Sequence, residues 1–177
     1  ASFYATMGAE VTLVEMMDQI LPTEDTEIAE LAQTSFEKLG IRVLTGAAVE
    51  GLKKGKSGLT AAIAGKSQSF DAAILSVGVS GNVDGLGLVE LGVSIERNFI
   101  VVDEGQRTSV PGVFAIGDVT GAPCLAHKAS HEGVIAAETI AGLHPHGLNR
   151  ARIPGCTYSH PQVASIGLTE SAAAARG

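Results

Sequence analysis

Tryptophan is absent from this 177-residue sequence, cysteine occurs twice and aromatic residues make up only 4% of it. Cys124 and Cys156 stand too far apart for a CxxC redox or zinc pair, so a disulfide framework is not expected and a reducing compartment is. Positive charge is scarce as well. The 12 Lys and Arg against 19 Asp and Glu give a net charge of −7, which argues against a nucleic-acid or anionic-membrane surface. Long hydrophobic runs are missing. Stretches such as Ala72–Val79 are too short to span a bilayer, and the first residues do not read as a signal peptide. No His, Cys and Asp cluster has metal-ligand spacing, so no metal is predicted.

What is present points to an α/β fold. Hydrophobic residues make up 45% and charged residues 18%, which excludes disorder and suits one domain or pieces of two. Ala1–Met7 reads as the tail of a helix stopped by Gly8, followed by the apolar strand Val11–Glu15. A domain seldom begins inside a helix, so the natural chain is expected to extend upstream of Ala1. Thr23 is the expected N-cap of a helix that buries Ile28, Leu31, Ala32, Ser35 and Leu39 and ends at Gly40. Strand Ile41–Leu44 and a hairpin of Leu59–Ala64 with Ser67–Phe70 follow. Ala72–Val77 is a continuous apolar run, expected as a central strand covered on both faces. Five glycines between Gly78 and Gly92 mark a domain crossing. Beyond it, Ile100–Val102 and Val113–Ile116 read as strands and Leu125–Leu143 as a helix. Strand Val163–Gly167 then leads into a helix opened by Thr169 and Glu170.

Two carboxylates stand out. Glu15 ends an early strand, where the acid of a dinucleotide-binding βαβ unit accepts hydrogen bonds from the adenosine ribose, about 20 residues after the Gly-rich loop. An acid there also disfavours a 2′-phosphate and so selects NAD over NADP. Taken with its strand alone, Glu15 reads equally as a solvated acid. Asp118 follows Gly117 at the carboxyl end of Val113–Ile116, where α/β sheets bind ligands, eight residues before a helix whose first N–H groups could face an electron-rich group. A lone Gly-Asp after a strand is more often a turn than a site. Of the histidines, His160 before Pro161 reads as a turn residue, and His131, His144 and His146 as solvent-facing.

The run Thr108–Asp118, with Leu125-Ala126-His127-Lys128-Ala129 and Glu132-Gly133, resembles the second FAD-binding motif of the flavoprotein disulfide reductases. Ile153-Pro154 and Tyr158–Glu170 are similar to the dihydrolipoamide dehydrogenase branch of that family, as is Val11–Glu15 with Ile20-Leu21-Pro22. The resemblance covers essentially the whole chain. It implies a partial flavoprotein with two dinucleotide-binding domains: NAD-binding residues 1–79, a second FAD segment over 80–148, and the opening of a dimerisation domain over 149–177. It implies FAD and NAD as cofactors, with Gly117, Asp118, Cys124, Leu125, Ala126 and His127 against FAD and Glu15, Val49 and Gly78 against NAD. Cys124 and Cys156 are read as buried apolar positions or as packing against flavin. Where the family commonly places Arg and then Pro after the Gly78 equivalent, this chain has Val79-Ser80-Gly81-Asn82.

The resemblance further implies oxidation of protein-bound dihydrolipoamide by NAD, a homodimer, and a lipoyl-bearing acyltransferase of a 2-oxo acid dehydrogenase complex as partner. The expected location is the bacterial cytoplasm, or the mitochondrial matrix in a eukaryote. The family's redox cysteine pair and His-Glu base have no counterpart here, so the chain is expected to hold no catalytic residue and to be inactive alone. Rival readings are a mercuric reductase or soluble transhydrogenase type of flavoprotein, and a non-catalytic scaffold.

Overall fold

The computed structural model describes residues 1–177 and is α/β, with nine short strands and four α-helices. The chain falls into two compact units, Ala1–Ser76 with Cys156–Gly177, and Val77–Gly155.

In the first unit, helix α1 (Ser2–Thr6) ends at Met7, and Gly8 follows in the left-handed region at φ 91°. Strand β1 (Thr12–Val14) pairs in parallel with β2 (Arg42–Leu44), Leu13 opposite Val43. Parallel neighbours need a crossover, and helix α2 (Thr26–Lys38) supplies it. The helix starts later than Thr23 predicts. Leu21–Glu24 forms a turn closed by the Glu24 N–H donating to Leu21 O at 3.0 Å, and Gln19 holds its exit by donating to Glu24 O at 3.1 Å. Asp25 occupies the N-cap position yet gives its carboxylate to the Glu170 N–H, 2.7 Å away, at the start of helix α4 (Glu170–Ala174). Thr169 caps α4 as its sequence predicts, accepting from the Ala172 N–H at 3.2 Å.

The buried face of α2 also differs from the expected one. Ala29, Ala32 and Phe36 are buried, while Ile28, Leu31 and Leu39 are exposed. The small alanines let the helix approach closely, and Phe36 fills the core with Ile20, Ile41 and Val163. A second cluster of Ala47, Ala61 and Ile63 lies in an antiparallel sheet of β3 (Val49–Lys54), β4 (Leu59–Ile63) and β5 (Lys66–Phe70). The β4–β5 hairpin forms as expected, but its turn comes one residue earlier than the expected strand bounds, at Ala64 and Gly65, both at positive φ as a two-residue turn demands, and Lys66 joins the strand. Strand β3 has no alternating pattern to betray it: all six of its residues are exposed, and its register shifts between Glu50 and Lys53. Strands β8 (Gly155–Thr157) and β9 (Val163–Ser165) pair near the end of the chain.

Ala72–Val77 does not form the expected central strand. It joins no sheet, and Ile74, Leu75 and Val77 are 69%, 69% and 92% exposed. An apolar run becomes a central strand only where neighbours receive its ladder bonds and layers cover both faces, and no strand here pairs with it.

In the second unit, β6 (Ile95–Glu96) and β7 (Phe99–Ile100) form a small hairpin, so the expected strand Ile100–Val102 ends early. Val113–Ile116 is not a strand either. It makes one isolated bridge, Arg107 with Phe114, after Pro111 and the left-handed Gly112 at φ 81°. Ala115 is nevertheless buried with Val83, Val93 and Ile100. Helix α3 (Ala126–Ile140) follows the predicted span and closes at Gly142, φ 79°. No helix is long and apolar enough to cross a membrane.

Candidate functional site

Two free carboxylates mark the two candidate sites, one in each unit. In the second unit, the extended Ile116 delivers a short 3-10 turn, Gly117–Thr120. Gly117 has φ 79°, which favours glycine, and a Cβ on it would stand 3.4 Å from the Cβ of Ala129. The turn therefore lies directly on α3. Asp118, inside it, is exposed, and no protein group hydrogen-bonds or pairs with its carboxylate.

Leu125 is the extended N-cap of α3 and gives no side-chain cap, so the first N–H groups of the helix lack a side-chain acceptor. Cys124 and Leu125 are half-buried, and Ala126 and His127 are exposed. The His127 ring is fixed by its Nε2, 2.9 Å from Pro154 O. A carbonyl only accepts, so Nε2 carries a proton and donates it. Gly117, Asp118 and Cys124–His127 thus occupy the 3-10 turn and the start of the helix it rests on. The two cysteines are less buried than the sequence predicts: Cys124 is partly accessible, and Cys156 faces out from β8 between two half-buried neighbours.

Sequence reasoning gave no role to the residues beneath this turn. Lys128 and Glu132 are fully buried, with Nζ 3.2 Å from Oε1. Lys128 Nζ also donates to Gly117 O at 2.9 Å, Thr120 Oγ1 at 3.1 Å and Gly121 O at 2.9 Å. The Gly117 N–H donates to Glu132 Oε2 at 2.7 Å. Arg150 reaches in from a more exposed position, donating to Thr120 O at 3.2 Å and Ala122 O at 3.3 Å. The signal in the sequence is positional: Lys128 and Glu132 share one helical stripe with the buried Ile135, Ala136 and Thr139.

A cavity of about 650 Å³ lies in the same unit, lined by Gln106, Thr120, Gly121, Glu132 and Arg150 among others. None of the six residues predicted against FAD lines it, so Asp118 presents its carboxylate at the surface rather than inside this cavity.

In the first unit, Glu15 follows the carboxyl end of the parallel strand β1, and its N–H donates to Leu44 O at 2.8 Å. Its Oε1 accepts from the Met17 N–H at 2.8 Å, which orients the carboxylate and leaves Oε2 without a protein partner. No cation pairs with it. Its main-chain carbonyl accepts from the Ala47 N–H at 3.0 Å, which brings the segment leading to Val49 alongside. Val49 opens β3 and is 46% exposed. Gly78 belongs to the second unit, where it is exposed at φ 112°.

Three comparisons bear on this arrangement. The dihydrolipoyl dehydrogenase of Zymomonas mobilis is 54% identical over all of this chain, and that of Rhizobium etli is 49% identical over 98% of it. The chain spans 39% and 37% of their lengths. Among solved structures, LpdA from Mycobacterium tuberculosis superposes with a TM-score of 0.89 at 28% identity, over 99% of this chain and 39% of that one. The flavoprotein disulfide reductase RclA from Escherichia coli reaches 0.91 at 25% identity, over 99% and 41%. The profile of the pyridine nucleotide-disulphide oxidoreductases matches residues 1–133, and with that match the chain belongs to this family.

Proposed function

We propose that the protein carrying this chain is a dihydrolipoyl dehydrogenase, which oxidises protein-bound dihydrolipoamide to its disulfide and reduces NAD. The dithiol loses two electrons and two protons; NAD takes one hydride and the second proton is released. FAD, when bound, supplies the two-electron relay between thiols and nicotinamide. The observation that carries this reading is the free, outward-facing Asp118 carboxylate beside the uncapped start of α3, in a chain 54% identical to a protein of that name.

The donor set fits both cofactors. A ribityl chain carries hydroxyl donors, and Asp118 has two unengaged acceptor oxygens for them. Gly117, buried and without a Cβ, lets the turn lie close on Ala129 of α3 and so sets where the neighbouring Asp118 emerges. The first N–H groups of α3, with Cys124 and Leu125 ahead of them, offer donors and apolar surface to the flavin ring. Glu15, oriented by the Met17 N–H, keeps Oε2 for the ribose hydroxyls of NAD, and Val49 of the same unit lines that cofactor.

In this reading residues 1–79 bind NAD, 80–148 form the second FAD segment and 149–177 open the dimerisation domain. These residues bind and orient; the thiol exchange and its base lie elsewhere in the protein. A homodimer serves the lipoyl-bearing acyltransferase of a 2-oxo acid dehydrogenase complex, in the bacterial cytoplasm or the mitochondrial matrix. The free thiols Cys124 and Cys156 agree with such a reducing compartment.

The test is to purify the full gene product and to assay dihydrolipoamide-dependent NAD reduction. The expected product is yellow, with flavin absorbance in the visible blue, and active with NAD in preference to NADP. A colourless product, or a yellow one that ignores dihydrolipoamide, overturns the proposal.

A further inference from the structure

Lys128 and Glu132 are the largest side chains wholly shut from solvent, and both carry charge. A buried ion pair seldom improves stability over apolar residues of the same size, because desolvating two ions offsets their attraction. Stability alone therefore gives the pair little reason to be there. What the pair does achieve is geometric. Apart from a 3.5 Å contact of Arg150 with Glu132 Oε1, its hydrogen bonds outside the pair go to one turn: Lys128 Nζ to Gly117 O, Thr120 Oγ1 and Gly121 O, and Glu132 to the Gly117 N–H and the Thr120 hydroxyl. Both backbone groups of Gly117 are thus held by α3, and the next residue is Asp118.

We propose that Lys128 and Glu132 are positioning residues for FAD: they lock the Gly117–Gly121 turn so that the Asp118 carboxylate meets the ribityl chain ready-made, with Arg150 fastening the same turn from its outer side. The inference rests on the FAD reading above. Neither side chain touches the cofactor, and the pair adds no net charge, so its influence on FAD travels through the backbone on either side of Asp118. A turn that is ordered before binding spares the cofactor the cost of ordering it.

The test is a thermodynamic cycle in the full gene product. The apoprotein is titrated with FAD, and Kd is read from the flavin fluorescence of wild type, Lys128→Met/Glu132→Leu, Asp118→Ala and the combined variant. Replacing both ions together leaves no buried charge uncompensated, so the pair variant folds. It is expected to bind FAD roughly tenfold more weakly than wild type, and its apoprotein to melt somewhat earlier because the buried Gly117 N–H and Gly121 O lose their partners. In the Asp118→Ala background the same double replacement is expected to change Kd hardly at all, because the positioned group is gone. A packing role without connection to Asp118 would weaken both backgrounds equally.

Equal weakening, or a pair variant that binds FAD as wild type does, overturns the inference. If the pair variant does not fold, Arg150→Met replaces it in the cycle, since that side chain is 44% exposed. It is expected to weaken FAD binding about threefold and only where Asp118 is present; an effect independent of Asp118 overturns the inference. A wild-type apoprotein that takes up no FAD overturns the functional proposal and this inference with it. A wild type that binds FAD beside variants that bind equally well overturns this inference alone.

Discussion

Gly117 and Glu132 show how much a single position can carry. At φ 79° an L side chain costs about 1–2 kcal/mol, and a new methyl group would press on Ala129 besides. Gly117→Ala is therefore expected to lower stability by about that amount in urea denaturation. Lys128→Met alone is expected to cost about 3–5 kcal/mol, because it leaves the buried Glu132 carboxylate with no cation nearer than Arg150 at 3.5 Å, although the Gly117 N–H still donates to it. The pair variant should lose far less, and a single variant no less stable than the pair would contradict this account.

Glu15 and Asp118 were singled out in the sequence through the resemblance to the flavoprotein disulfide reductases, since taken alone the first reads equally as a solvated acid and the second more readily as a turn. Lys128 and Glu132 were not, because two charged residues four apart on a helix usually lie on its solvated face. Only the phase of the buried stripe reveals them, and that phase depends on which side of α3 the turn packs.

Elements were legible where local chemistry decides them and obscure where neighbours do. The left-handed glycines after α1, α2 and α3 and the Thr169 cap are local features, and each stands where the sequence puts it, while the β4–β5 turn, local as well, falls within one residue. The face of α2 is not local. Leucine spacing points to Leu31, yet Leu31 is 59% exposed and the helix packs through Ala29 and Ala32, each 1% exposed. Leu31→Ala is accordingly expected to change stability by no more than about 0.5 kcal/mol. Ala32→Leu, which overfills the contact, should cost about 1–3 kcal/mol. Chemical denaturation of the two variants separates the alternatives: a larger loss from Leu31→Ala would restore the face that the leucines suggest. Ala72–Val77 failed as a strand for the same reason. Its composition says what partners it needs, and partners are a property of the sheet rather than of the segment.

At the scale of the molecule, each of the two compact units carries one of the two candidate carboxylates, Glu15 and Asp118, and the chain belongs to the pyridine nucleotide-disulphide oxidoreductases. The chain spans about 39% of the length of relatives such as that of Zymomonas mobilis, and the share of the task proposed for it is binding and orientation. In these 177 residues alone Asp118 stands at an open surface, where a hydrogen bond exchanged with water yields little net affinity. The 177 residues expressed alone are therefore expected to leave purification with far less than one flavin per chain; stoichiometric, tightly held flavin would refute that expectation.

The central claim is that Asp118 and Glu15 hold different cofactors. Its most direct test is a crossed measurement of affinity in the full gene product, with FAD and NADH each titrated into Asp118→Ala and Glu15→Ala. Removing a hydrogen bond to a charged group costs about 1.5–3 kcal/mol, or roughly 10- to 150-fold. Asp118→Ala should lose that much affinity for FAD, and Glu15→Ala should lose it for NADH while its FAD affinity stays at the wild-type value. If Glu15→Ala weakens FAD, or if either variant binds both cofactors as wild type does, the two carboxylates do not have these roles.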